Sequence, residues 1–250
     1  MARNAGSTPS QIEIIVKEAF KGTAVNVTVQ GQRHLDVAIG SQQYVEEYVN
    51  DKVTNWISEI TKLAELTVTP PQASHASYTF GLKHRWTYFL RTLPNTEDLH
   101  EPLESTISRI LIPAITDWQC SQLDRDILAL PVRLGGLGEA NSSSDANLHY
   151  TSSVKVTAPL VEQILAQVHQ LPEDSLKRFA QQEVKAERPK NLIKRAERLK
   201  RVAPQKTRRA LDLATEKGPS MSLTSLPLKE MGFNLNKREC RDGLSLPSTL

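Results

Sequence analysis

The sequence predicts a mainly α-helical chain, an elongated multi-helix array with one N-terminal β-hairpin. Three observations carry this expectation. Val45, Val49, Val53, Trp56, Ile60 and Leu63 recur at helical spacing over residues 42–66, with Lys, Glu and Asp on the other face. Residues 25–29 and 35–39 alternate apolar and polar around the turn Gln30-Gly31-Gln32, the pattern of two short strands. Nothing after Ser41 alternates in that way, and roughly eight to ten helical segments separated by Pro, Gly and Ser fill the remainder.

Taken in order, Ile12, Ile15, Val16, Ala19 and Phe20 predict a first amphipathic helix over 11–20, closed by Lys21-Gly22 after a frayed start. The hairpin follows, with Val25, Val27 and Val29 on one strand and Leu35, Val37 and Ile39 on the other. A lone two-stranded hairpin is marginal in water, so it needs a packing partner. Ser41 is a suitable N-cap for the helix over 42–66. Pro70-Pro71 breaks the chain, and Ala73, Ala76, Phe80, Trp86 and Phe89 predict a helix over 72–90. Glu97 and Asp98 open the next helix, which uses Leu99, Leu103, Ile107, Ile110 and Leu111 and is ended or kinked by Pro113. A short helix over 121–130 precedes Leu130-Pro131-Val132-Arg133-Leu134-Gly135-Gly136-Leu137-Gly138. Three glycines in four positions predict a tight, partly buried turn; no strand precedes it and no Lys-Ser/Thr follows, which argues against a phosphate-cradling loop. Ser142-Ser143-Ser144 should cap a helix to about Val154, with Pro159 starting another over 158–169. Residues 173–202 read as a basic helix interrupted by Pro189, continued over 204–217 and closed by Gly218-Pro219. The tail to Leu250 reads as irregular, with a turn or short helix at 228–231. The expected regions are 1–22, 23–41, 42–118, 119–171, 172–217 and 218–250.

The 250 residues suffice for one large or two modest domains. The net charge of +3 conceals an asymmetry. Residues 177–209 hold thirteen Lys/Arg against three Glu, a local +10, so the remainder carries −7. Cys120 and Cys240 are too few for a disulfide framework or a zinc site, which points to a reducing compartment. Residues 1–10 have no apolar core and no apolar run approaches spanning length, so a soluble, intracellular chain without a membrane partner is expected.

No complete active site emerges. His34, His75, His84, His100, His149 and His169 never pair at metal-ligand spacing with Cys, Asp or another His. There is no Gly-x-Ser-x-Gly elbow, no Cys-His nucleophile signature, no P-loop and no adjacent aspartate pair. The expectation is therefore binding, with no cofactor and no metal. The basic segment admits two readings, a solvated helix face or an electrostatic footprint for nucleic acid. Its three interspersed acids are too few for salt-bridge lacing, which favours the second, and contact would be sequence-independent.

An ordered set of motifs also carries a resemblance. Gly31-x-Arg33-His34-Leu35 with Ala38-Ile39-Gly40-Ser41 resembles a stretch that follows the catalytic core in reverse transcriptases of invertebrate non-LTR retrotransposons. The similarity continues through Tyr48-Val49-x-x-Lys52-Val53-x-x-Trp56, His75-Ala76-x-Tyr78 and Phe80-Gly81-Leu82. It extends through Trp86-x-Tyr88, Arg91-Thr92-x-Pro94, the Leu130–Gly138 run and Thr157-Ala158-Pro159-Leu160. Leu226-Pro227, Gly232-Phe233, Lys237-Arg238 and Arg241-Asp242 complete it over about residues 20–242.

The resemblance implies that the metal-binding aspartates of that family lie upstream of this hairpin, leaving the chain non-catalytic. The hairpin would match the element that grips the primer, mapping onto Arg33, His34, Leu35, Asp36 and Val37. The helices to about Leu111 would match the thumb, which rides on the template–primer duplex. Candidate backbone contacts are then Arg33, His34, Lys52, Lys83, His84, Arg85 and Arg91. The basic segment adds Lys194, Arg195, Arg198, Lys200, Arg201, Lys206, Arg208 and Arg209. The chain departs from the pattern at Asp36, where the family has Gly, and lacks the aromatics expected near Ser222 and Cys240. The implied function is that of a non-catalytic reverse transcriptase fragment binding template–primer or RNA backbone, with an RNA–DNA duplex and the polymerase core as partners. The alternative is a helical protein-interaction module without polymerase ancestry, using the Val45–Leu63 stripe and the Gly-rich turn as packing surface.

Overall fold

The computed structural model describes residues 9–25, 27–68, 71–168, 174–217 and 235–244, and these are mostly helical with one antiparallel hairpin. The chain divides into two compact units, Met1–Lys52 and Val53–Leu250.

The first unit holds α1 (Pro9–Ala19), β1 (Gly31–His34), β2 (Val37–Gly40) and the first part of α2 (Gln42–Glu65). The hairpin is placed differently from the alternation at 25–29. Val25 and Val29 are exposed outside any strand, and Gly31 pairs with Gly40, His34 with Val37. The turn is Leu35-Asp36, and both residues have positive φ (47° and 61°), as a two-residue primed hairpin turn requires. Gly31 belongs to the strand because the Tyr44 ring lies over it, where any Cβ would overlap the ring carbons. Ser41 Oγ accepts from Tyr44 N–H (3.3 Å), so Ser41 does cap α2.

The apolar stripe of α2 is core, as its period implies: Val49, Val53, Trp56, Ile60 and Leu63 are all buried. The second unit continues with α3 (Pro71–Phe80), α4 (Thr87–Thr92), α5 (Glu101–Thr106), α6 (Ile112–Thr116) and α7 (Gln122–Leu128). It ends in α8 (Ala146–Leu165), α9 (Asp174–Val202), α10 (Gln205–Lys217) and α11 (Lys237–Leu244). The single helix expected over 72–90 is divided at Gly81, with one tight turn, Leu82–His84, between α3 and α4. Between α5 and α6 the ladder widens, and Ile112 N–H reaches back to Ile107 O. Pro113 has no N–H to offer the preceding turn, and a wide turn is one way a helix absorbs that loss.

Pro159, expected to start a helix, lies inside α8, one helix rather than two, and Pro189, expected to interrupt one, lies inside α9. Each forfeits one ladder bond, which the surrounding turns tolerate. The serine run does not cap α8, whose preceding residue Asp145 makes no side-chain cap; residues 142–145 form a turn in which Asn141 Oδ1 accepts from the N–H groups of Ser143 (3.0 Å) and Ser144 (2.8 Å). The tail contains a helix that the sequence pattern did not announce, α11, which packs on α3 with Cys240 buried and Leu235 N–H donating to Gln72 Oε1 (2.8 Å). The readings at 218–219 and 228–231 and at His169 lie outside the described residues.

The core of the second unit gathers Trp56, Phe89, Leu103, Ile107, Leu111, Ile127 and Leu128. Trp56 packs edge-on to Phe89 (5.1 Å between centroids) and stacks on the buried His100 ring (6.3 Å). Outside it, α4 packs on α8 and α8 on α9, setting three helices around one open cleft.

Candidate nucleic-acid interface

In the hairpin the expected basic contacts are largely closed on an acid. Asp36 Oδ1 takes Arg33 Nη2 at 2.5 Å and Lys52 Nζ at 3.6 Å, and the Tyr48 hydroxyl donates to it at 3.1 Å. Partial burial works to raise the Asp36 carboxyl, but the Tyr48 hydroxyl and the Lys52 and Arg33 charges hold it below its ordinary value. Asp36 therefore remains ionised and keeps both cations at the turn. His34 is exposed beside them.

The cluster after α3 is also partly committed. Lys83 Nζ donates to Gly138 O (3.4 Å) and lies 3.9 Å from Glu139, and Arg85 Nη1 sits on Glu59 (2.5 and 2.6 Å). His84 is exposed, and Arg91, exposed on α4, lines the cleft against α8 and α9.

The basic helices sort their cations by face. Leu192, Ala196 and Leu199 turn inward along α9, whereas Lys190, Lys194, Arg198 and Arg201 follow one another at helical spacing and are exposed, Lys194 and Arg198 at the rim of a recess shared with Asp126 and Ser144. Arg195 sits between the two faces and bridges Asp145 (3.0 Å) and Asp126 (3.3 Å). Lys200 pairs with Asp212 across the α9–α10 corner (2.7 Å). Arg208 donates from Nε to Lys200 O (2.9 Å) and from Nη2 to Ala203 O (3.3 Å), closing the C-terminal end of α9. Among the described residues, Lys190, Lys194, Arg198, Arg201, Lys206 and Arg209 are exposed and make no ion pair. These six form the cationic surface. Arg33, Lys52, Lys83, Arg85, Arg195, Lys200 and Arg208 instead hold parts of the fold together.

Sequence reasoning missed the polar network beneath the Gly-rich run. Arg125, 1% exposed, places Nε and Nη2 on the two carboxylate oxygens of Glu104. Its Nη1 donates to Glu139 O (2.6 Å) and its Nη2 also to Ala140 O (3.2 Å), tying the chain after the turn to α5 and α7. The Glu139 carboxylate takes Thr79 Oγ1 at 2.8 Å and faces His75 Nε2 at 3.5 Å. Burial alone would raise the Glu139 carboxyl, but the His75 contact, the Lys83 charge and the Thr79 hydroxyl bring it below its ordinary value. The run itself is the tight, partly buried turn expected: Gly135 has φ 86°, and a Cβ on Gly136 would overlap the carbonyl oxygens of Leu130 and Ile127. The one available signal was an arginine placed two residues before the apolar run Ile127-Leu128-Ala129-Leu130 on a short helix.

Among the described residues, no group of three or more His, Cys, Asp or Glu could hold a metal ion, and no helix is long and apolar enough to cross a membrane. No protein-family model, curated protein or solved structure matches the chain.

Proposed function

We propose that this chain binds the sugar–phosphate backbone of RNA or an RNA–DNA duplex, without sequence preference, in the manner of the region that follows the catalytic core in non-LTR retrotransposon reverse transcriptases. The observation that carries the reading is the row Lys190, Lys194, Arg198 and Arg201 on α9, with Lys206 and Arg209 on α10, exposed and without ion pairs among the described residues. Such a row follows a phosphate backbone and gains from counterion release rather than base contacts. The motif order supplies the class of nucleic acid. As a post-catalytic element the chain positions a strand and performs no nucleotidyl transfer by itself.

The test is fluorescence anisotropy of a labelled RNA–DNA duplex from low to moderate salt, with the Lys194→Glu/Arg198→Glu/Arg201→Glu variant alongside. Binding should weaken log-linearly with salt, and the variant should flatten the slope by about 0.9 for each phosphate it no longer neutralises. Absence of affinity at low salt, or an unchanged slope in the variant, would refute the reading.

A protein-interaction role has its own support. The α2 stripe and Gly136 are enclosed and unavailable, but Ile12, Ile14 and Ile15 on α1 and Ile164 and Leu165 on α8 are exposed. Under that reading the triple variant would leave all binding unchanged.

A further inference from the structure

The cleft walled by α4, α8 and α9 has a volume of about 370 Å³, within the range of small-ligand sites. Leu148, Val156, Val184 and Leu192 give it apolar walls. Its two acids are already engaged, Asp145 by Arg195 (3.0 Å) and Glu187 by Lys155 (2.8 Å). Arg91 from α4 and Arg188 from α9 remain, neither of them in an ion pair among the described residues. His149 lines the same cleft. Its burial, aided by Arg188 and Arg91 and opposed by Asp145, holds its pKa below the ordinary value, so at neutral pH it offers one N–H donor and one acceptor.

We propose that this cleft binds a phosphomonoester carried on a planar or apolar body, a mononucleotide, either free or as the 5′-terminal nucleotide of a strand. Two guanidinium groups match the dianionic charge of a monoester and its bidentate geometry, whereas an internal phosphodiester carries a single charge. The apolar walls accept the base. Arg188 lies on the side of α9 that faces the cleft, not in the row of Lys194, Arg198 and Arg201, so this site stands independently of backbone binding.

Isothermal titration calorimetry of the full chain with adenosine 5′-monophosphate, adenosine and inorganic phosphate tests it. The monophosphate should bind saturably, with adenosine and inorganic phosphate each weaker by about tenfold or more, because each supplies only half of the interactions. Arg91→Ala and Arg188→Ala should each weaken the monophosphate by about tenfold, since each removes a charge-assisted hydrogen bond. Leu148→Trp should block it by filling the cleft without altering charge, and the Lys194→Glu/Arg198→Glu/Arg201→Glu variant should leave it unchanged. Competition by a 5′-phosphorylated hexanucleotide, but not its 5′-hydroxyl counterpart, at salt high enough to suppress backbone binding would assign the site to strand ends. Failure of both to compete would assign it to free nucleotide. No binding at millimolar monophosphate, or undiminished binding in both arginine variants and Leu148→Trp, would overturn the proposal.

Discussion

Replacing Arg125 with Met should be the most destructive single change that keeps side-chain volume nearly constant. The arginine is enclosed, and its N–H donors serve the Glu104 carboxylate and the carbonyls of Glu139 and Ala140. Met fills much of the space but supplies no donor. It leaves the Glu104 carboxylate buried with only the Ser142 N–H at 3.3 Å beside it. An uncompensated buried charge of this kind costs about 3–5 kcal/mol. For a folded unit near 200 residues, each kcal/mol moves the melting temperature by about 2–4 °C, so a fall of about 6–20 °C is expected. Thermal unfolding followed by circular dichroism and calorimetry measures it. The Glu104→Gln/Arg125→Met double variant should lose less than the two single variants together, by about 1–3 kcal/mol, because the second change removes the charge that the first strands. Arg125→Lys should lose less than Met, since an ammonium keeps a counter-charge for Glu104 but cannot also serve both carbonyls. A loss under about 1 kcal/mol for Arg125→Met, the size of an exposed pair, would refute the reasoning, as would strictly additive singles.

Asp36→Gly should release Arg33 and Lys52 while giving the turn a residue at ease with positive φ; duplex affinity should rise, with a salt slope steeper by about 0.9 per cation that finds a phosphate. Unchanged affinity in that anisotropy titration would show that the hairpin takes no part in binding. His100 is fully buried, its Nδ1–H donating to Thr96 O at 2.8 Å, and burial holds its pKa below the ordinary 6.5. The folded state therefore binds fewer protons than the unfolded one, so its contribution is complete above pH 6.5 and declines as pH falls from there toward the lowered folded value. Urea melts between about pH 8 and 5 should show that decline, reduced in His100→Asn, which retains a donor for Thr96 O; identical pH profiles would refute it.

How much was legible depended on whether a residue's partner lay nearby in sequence. The α2 stripe was readable because Val49, Val53, Trp56 and Ile60 declare their common face through spacing alone. The hairpin was readable as a hairpin but not in register. Leu35-Asp36 lacks the Asn-Gly composition of a primed turn, and Gly31, which looks like a turn residue, is small because Tyr44 lies over it. Prolines misled at Pro159 and Pro189, where one missing ladder bond does not outweigh long helices packed along a face. Among the site residues, counting cations could not distinguish the committed from the available. Arg85 meets Glu59 26 residues away, and Arg195 meets Asp145 at a separation of 50, relations no local pattern encodes. Arg125 was hidden for the same reason, since a charge on a short helix reads as solvated until its partner on another helix is known.

The absent side chain at Gly136 also sets how this chain can vary among relatives. Charge along the exposed row of α9 can be supplied from several stations, so an arginine missing at 198 can be replaced by one gained a turn away. The approach of Leu130 O and Ile127 O to Gly136 allows no such exchange, because any Cβ would meet backbone rather than a side chain able to move aside. Diverging homologues should therefore hold Gly136 and the Glu104–Arg125 pair as one inherited block while the basic residues drift around it. A set of such sequences would separate the part of the molecule that must be kept from the part that selection is free to retune.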